Sequence, residues 1–281
     1  MLRKNRNYVI AAIFGAIVAV VALVINCRKN KGLFKATYNE SPLRRIGLYE
    51  RYIKRIFDIV CSILAISVFW WLYAIIAILV RARLGSPILF TQYRPGKIDP
   101  KTGREKIFKM YKFRTMTDKR DNSGELLPDD FRITKFGAWL RSTSLDELPE
   151  VISILNGDMS VIGPRPQLIK DMVFMSNEQR MRHTAKPGLS GLAQIMGRNA
   201  ISWDKKLKYD LHYLRHISFR NDLFILIKTV LKAFISKEGI TEEGKVTATD
   251  YGDYLLLNNR ISKTEYDKRQ KKAERILEGV K

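Results

Sequence analysis

Hydrophobic positions form two long unbroken runs first, and only later the alternating and helical patterns of a folded domain. Tyr8 to Ile25 is apolar almost throughout and uncharged, near the lower length limit of a membrane span. Arg3, Lys4 and Arg6 precede it as in a signal peptide, but Asn26-Cys27-Arg28-Lys29 is a poor cleavage site. A retained transmembrane helix is therefore expected. Ile56 to Val80 is the second run, with Trp70, Trp71 and Tyr73 just past its middle. As one straight helix it would be about 37 Å long, more than a bilayer core requires.

The remaining pattern predicts a small α-rich α/β domain. Ile88 to Gln92 and Lys106 to Thr115 alternate like strands. Arg94-Pro95-Gly96 and Asp99-Pro100-Lys101-Thr102-Gly103 between them signal turns, so an irregular hairpin is expected. Helices are predicted over Phe131 to Leu140, with Asp129-Asp130 at its start, over Gln167 to His183, Trp203 to His216 and Phe219 to Ile235, and over Lys263 to Leu277 in a charged tail. Lys186 to Gly197 reads as a short extended segment. The nearly all-apolar Phe219 to Ile235 fits either core packing or a place in the membrane interface.

Charge decides how the two long runs are used. The 281 residues carry a formal net charge of +22, which suits nucleic acid, an anionic membrane or phosphorylated substrates. The apolar runs point to the membrane, and no helix-turn-helix, zinc or RNP-like motif supports nucleic acid. Between Arg28 and Arg55, nine basic residues face only Glu40 and Glu50, which places this linker in the cytoplasm. Ile56 to Val80 is basic on both flanks, so a full crossing would strand one basic region on the wrong side. A re-entrant helix pair, entering and leaving on the cytoplasmic face, satisfies both flanks. Asp58 at its start could pair with Arg55 or Lys54. The cysteines, Cys27 and Cys61, suggest neither a disulfide framework nor a metal site.

The chemistry is concentrated in Thr143-Ser144-Leu145-Asp146-Glu147-Leu148-Pro149-Glu150 and in Asn156 to Pro166. Ser144 followed by Glu147 is a capping-box pattern, Pro149 is tolerated near a helix start, and Leu145, Leu148, Ile152 and Leu155 keep helical spacing. Asp146 and Glu147 are then expected at a helix N-terminus, where an anion is welcome. Asn156-Gly157-Asp158 leads to Gly163-Pro164-Arg165-Pro166, which fixes an arginine between two prolines. A pinned guanidinium near a carboxylate pair suits phosphate chemistry. Asp158 also reads as an ordinary turn residue, and the lone His183 as exposed or capping rather than catalytic.

These motifs together resemble the bacterial sugar transferases, the monotopic phosphoglycosyl transferases that start glycan assembly on polyprenyl phosphate. The resemblance runs from Lys54-Arg55-Ile56-Phe57-Asp58 through Gly85 to Gln92, Tyr111-Lys112-Phe113-Arg114-Thr115-Met116, the Asp146-Glu147 dyad, Gly163 to Pro166, Lys186 to Gly191 and Gly197-Arg198-Asn199. It implies transfer of a sugar 1-phosphate from a UDP-sugar to undecaprenyl phosphate, with UMP released. Asp146 would be the nucleophile that forms an aspartyl phosphosugar, and Glu147 would hold Mg²⁺. Lys112, Arg141, Arg165 and Arg198 would face substrate phosphates, and Asp222 would be structural. The family breaks its membrane helix at Ser-Pro, whereas here Ser67 is followed by Val68. Gly197 to Trp203 resembles members acting on N-acetylated amino sugars; UDP-galactose or UDP-glucose is the alternative, and a non-catalytic membrane scaffold the alternative of another class.

The expected organisation is a transmembrane helix over 1–27, a basic linker over 28–54, a re-entrant helix over 55–84, a catalytic domain over 85–240 and a charged tail over 241–281. The resemblance implies the bacterial inner membrane, with its lipids as partners, and a catalytic domain on the cytoplasmic face. The residues leave open whether the chain forms a homo-oligomer.

Overall fold

The computed structural model describes residues 46–197, 201–235 and 249–280. The predicted transmembrane helix and most of the basic linker lie outside these residues, as does Arg198. Helices dominate, and the only sheets among the described residues are two strand pairs.

A π-helical turn, Tyr49–Ile53, runs into α1, Lys54–Leu84. Neither glycine nor proline interrupts these residues, so α1 continues unbroken for about 46 Å and is long and apolar enough to cross a membrane. The expected break into a helix pair is absent, because no residue in it disrupts the backbone ladder. Both ends of α1 nevertheless rest on the same domain. Near its start Lys54, Asp58 and Ser62 are buried, and near its end Ile76, Val80 and Leu84. Between them Ser67 to Trp71 are exposed in sequence, which no single buried stripe would allow.

The first foot is polar. Lys54 forms an ion pair with Asp222 and donates to the Ile162 carbonyl at 2.8 Å. Asp222, fully buried, also accepts from Tyr213 and Tyr49, each at 2.8 Å; it is structural, as expected. Asp58 does not take the pairing predicted for it. Lys54 is committed to Asp222, and Asp58 accepts from Ser160 Oγ at 2.8 Å and Val161 N at 2.9 Å. Arg55 donates to the carbonyls of Ile154 and Leu155 at 2.5 and 2.6 Å. The second foot is apolar: Ile76, Val80 and Leu84 pack with Phe113, Phe136 and Leu140.

Strands β1 (Leu89–Ile98) and β2 (Glu105–Phe113) form the expected antiparallel hairpin. Arg94-Pro95-Gly96 is not a turn; it lies within β1, where the register shifts between Pro95 and Ile98. That irregularity absorbs the proline, which cannot donate to a regular ladder. The chain reverses at Asp99 to Arg104 instead. The helix expected over Phe131 to Leu140 is two, α2 (Asp129–Arg132) and α3 (Lys135–Ser142). Ile133 between them is extended, and Thr134 caps α3 by accepting from Gly137 N at 3.0 Å.

After a 3₁₀ turn at Leu145–Glu147 come α4 (Glu150–Asn156) and β3 (Ser160–Ile162). The segment predicted as one helix over Gln167 to His183 is three pieces: α5 (Ile169–Met172), α6 (Asn177–Arg180) and a 3₁₀ turn at Met181–Thr184. Ser176 ends the first piece by capping α6. The extended segment expected from Lys186 to Gly197 shortens to β4 (Gly188–Ser190) and α7 (Leu192–Ile195). α8 (Trp203–Arg215) and α9 (Phe219–Ile235) follow as predicted.

β3 and β4 are parallel, with Ser160 opposite Gly188 and Ile162 opposite Ser190. Their backbones approach too closely for side chains. A Cβ on Gly188 would lie 2.0 Å from Gly163 N, and one on Gly163 2.5 Å from the Lys186 carbonyl. The two glycine-proline motifs are thus one packed unit. α10 (Tyr251–Leu257) and α11 (Lys263–Glu278) close the described chain. Tyr251 and Leu255 share a core with Phe174, Trp203 and Leu207, and Ala273 is buried beside Ile169 and Met172.

Candidate active site

Three elements meet at the acidic dyad. β2 packs against the 3₁₀ turn and α4, which brings Lys112 to both. Ser144 precedes the turn in the left-handed region, with φ of 57°, an uncommon setting for a residue other than glycine. Its side chain makes no capping hydrogen bond, and α4 starts only at Glu150, behind Pro149. The predicted capping box is therefore absent. Asp146 and Glu147 lie in the tight turn before the helix, where 3₁₀ winding directs both toward the domain.

The two carboxylates differ sharply in their partners. Glu147 Oε1 receives Lys112 Nζ at 2.7 Å and Arg165 Nη2 at 2.5 Å, and its Oε2 has Arg165 Nη1 at 3.4 Å. Asp146 is 7% exposed, and among the described residues nothing donates a hydrogen bond to it or forms an ion pair with it. Burial pushes its carboxyl up to about 6; the charge of Glu147 adds to this, and Lys112, Arg141 and Arg165 oppose it. Burial also works against the Glu147 anion, but Arg165 and Lys112 outweigh it and hold the group well below the usual carboxylate range.

Arg165 is raised by Glu147 and has its side chain 41% exposed, so one face is open to a ligand. Arg141 donates through Nε to Thr115 Oγ1 at 3.1 Å, and its charge reaches Asp146. α3, which carries Arg141, sits directly on Thr115: a Cβ at Gly137 would lie 1.8 Å from the Thr115 carbonyl. The structure thus brings together Lys112, Arg141, Asp146, Glu147 and Arg165. Asp158 is elsewhere, accepting from Lys106 at 2.8 Å. His183 is buried rather than exposed, with Nδ1 3.0 Å from Glu105 Oε1. Burial pushes it down to about 4, so it is neutral near pH 7 and structural.

Glu150 was not singled out by sequence reasoning. It is 2% exposed and lies 3.1 Å from Lys112 Nζ, so one lysine serves two carboxylates. Its signal was its spacing, one helical turn beyond Glu147. Burial pushes Glu150 up to about 7, with Lys112 opposing and Glu147 adding. No group of three His, Cys, Asp or Glu suited to a metal occurs among the described residues.

The raised Glu150 gives a stability prediction with a definite sign. The folded state binds this proton more tightly than the unfolded chain, so the contribution is complete below about pH 4.3 and is lost as pH rises through about 7. Glu150→Gln mimics the protonated form and does not titrate. Its stability relative to the parent should therefore increase between pH 5 and pH 8, by at most about 3 kcal/mol. Thermal melting across this range measures the difference, and parallel curves for the two proteins would contradict it.

Comparison with known proteins shows the family. The family model described as bacterial sugar transferase matches residues 49–236. An uncharacterized sugar transferase of Bacillus subtilis, EpsL, is 45% identical over 196 residues, covering 70% of this chain and 94% of that protein. The UDP-glucose:undecaprenyl-phosphate glucose-1-phosphate transferase of Klebsiella pneumoniae is 38% identical over 213 residues, 70% of this chain and 43% of its own. An Aeromonas hydrophila UDP-N-acetylgalactosamine-undecaprenyl-phosphate N-acetylgalactosaminephosphotransferase is 33% identical over 190 residues, with 64% and 43% covered. The chain thus spans less than half the length of the latter two but nearly all of EpsL. Matched by the family model over more than half its residues, the whole cluster around Asp146 and Glu147 included, the chain belongs to the bacterial sugar transferase family.

Proposed function

We propose that this protein transfers a sugar 1-phosphate from a UDP-sugar to undecaprenyl phosphate, with Asp146 as a covalent nucleophile. The observation that carries this is the asymmetry of the dyad. Glu147 is neutralised by two cations, whereas Asp146 is buried, without an ion-pair partner among the described residues, and influenced by the charges of Lys112, Arg141 and Arg165. An unpaired buried carboxylate is costly and calls for a function. In the first step an Asp146 oxygen attacks the β-phosphorus, the bond to the bridging oxygen breaks, and UMP leaves. In the second, an oxygen of the lipid phosphate attacks the same phosphorus and the aspartyl bond breaks, restoring the carboxylate. Two easier displacements replace one difficult one. Lys112, Arg141 and Arg165 offset the charge on the phosphoryl oxygens; Arg198 is assigned the same role by its sequence motif.

Mg²⁺ fits this site as a shared ion and not as a caged one. Glu147 Oε2 has only the contact at 3.4 Å, so it can offer one carboxylate oxygen to an ion otherwise bound by phosphates and water. When bound, Mg²⁺ would neutralise diphosphate charge. The proposed sugar is an N-acetylated amino sugar, after the Gly197 to Trp203 stretch. UDP-glucose is the second reading, favoured by the higher identity to the Klebsiella relative.

The reaction would take place at the cytoplasmic face of the membrane. α1 exposes Val68, Phe69, Trp70 and Trp71 in mid-helix, and α9 exposes Leu223, Phe224, Ile227, Val230 and Leu231. Because both feet of α1 stand on one domain, both of its ends would stay on the cytoplasmic face while its exposed middle sinks into the bilayer, rather than one end crossing it.

Detergent-purified protein given undecaprenyl phosphate, Mg²⁺ and a panel of UDP-sugars should release UMP with an N-acetylamino sugar donor. Asp146→Asn should lower that release by about 10⁴-fold or more. Release of UDP instead of UMP, or normal turnover by the variant, would sink the nucleophile assignment. For the topology, lipids brominated at mid-chain should quench Trp70 and Trp71 in a protein carrying Trp139→Phe and Trp203→Phe. Quenching seen only with headgroup-level probes would mean that α1 lies on the surface.

A further inference from the structure

The position of Arg165 depends on more than its two prolines. Pro164 and Pro166 fix their own φ angles, and Pro166 keeps Arg165 extended. They leave φ at Arg165 and ψ at Pro166 free, and these torsions help decide where the two carbonyls point. Both carbonyls accept from arginines of other segments. Arg182 Nη2 donates to the Arg165 carbonyl at 2.6 Å, and Arg94 Nη1 to the Pro166 carbonyl at 3.2 Å. Arg94 also donates to Gln92 Oε1 at 2.6 Å.

Arg182 is the firmer of the two. It is 1% exposed, and its Nε donates to Asp210 Oδ2 of α8 at 2.9 Å. Its Nη1 lies 3.3 Å from His183 Nε2, an acceptor when the neutral ring keeps its proton on Nδ1 toward Glu105. A guanidinium is expensive to bury, and a simpler core would use an apolar side chain. Here a charge-assisted hydrogen bond is aimed at the main chain of the residue whose side chain grips Glu147.

We propose that Arg182, seated by Asp210, is a positioning residue that sets the backbone of Arg165 and so aims its guanidinium at Glu147 and at the donor's diphosphate. This rests on the sugar-phosphate transfer proposed above. Arg182 touches no reacting atom; it acts through Arg165. The asymmetric dyad therefore depends on α8, an element remote in sequence from both motifs.

The test uses full-length protein in lipid nanodiscs. Arg182→Lys keeps a positive charge beside Asp210 and loses the planar fork. Asp210→Asn removes the seat with little change of shape and replaces it if the lysine variant does not fold. Hydrogen exchange at the Gln167 and Leu168 amides should accelerate about tenfold, with β2 unchanged. With the active UDP-sugar, kcat/KM should fall about 10- to 100-fold. In an Arg165→Lys background the same substitution should cost less than about threefold, because the two act as one unit. Equal losses in both backgrounds, or unchanged exchange at Gln167 and Leu168, would overturn the proposal. If no UDP-sugar yields UMP, the transfer reading fails and exchange alone decides: acceleration confined to Gln167 and Leu168 supports the clamp, and any other pattern refutes it.

Discussion

Glu147 is gripped by Lys112 and Arg165, and the arrangement of the site depends on that grip. Lys112 comes from the hairpin, Arg165 from the loop after β3, and Glu147 from the turn before α4. One ionic cluster thereby joins three parts of the chain that local structure alone would leave independent. Ion pairs on an exposed surface contribute little. These side chains are 15–16% exposed on the Glu147 and Lys112 side, where removing one partner would leave a poorly solvated charge behind. With Lys112 and Arg165 committed to Glu147, Asp146 is left as the carboxylate of the dyad with no hydrogen-bond or ion-pair partner among the described residues.

A second buried network ties the long apolar helix α1 to α9. Lys54 and Asp222 join the start of α1 to α9, with Tyr213 and the Ile162 carbonyl completing the coordination of the lysine. These are the two helices with the largest exposed apolar faces. Tying them together by buried polar bonds, and not by packing those faces on each other, leaves the apolar faces exposed. β3 touches both networks: Ser160 Oγ and Val161 N donate to Asp58, the Ile162 carbonyl accepts from Lys54, and Arg165 follows three residues beyond Ile162. The two networks thus share one short strand.

Much of this was legible in the sequence. The long helices α8, α9 and α11 follow from periodicity, and the hairpin from alternation. Lys112, Arg141, Asp146, Glu147 and Arg165 were named from motifs, and the structure brings them together. What failed was local. Ser144 and Glu147 have capping-box spacing, but Pro149 delays the helix and leaves a 3₁₀ turn. Arg94-Pro95-Gly96 reads as a turn, yet tertiary pairing keeps it in a strand with a bulge. Glu150 and Arg182 went unnoticed because their roles come from burial beside residues distant in sequence. Asp58 found partners about a hundred positions away, where pattern reasoning could offer only its neighbours.

The central claim is that Asp146 carries the sugar phosphate between two displacements. The most direct measurement is mass spectrometry of the intact and digested protein after incubation with its UDP-sugar and Mg²⁺ in the absence of lipid phosphate. The account predicts a mass increase of one phosphosugar, confined to the peptide that contains Asp146 and discharged when undecaprenyl phosphate is added. An unmodified protein that releases UMP only when lipid is present, or an adduct on another residue, would contradict it.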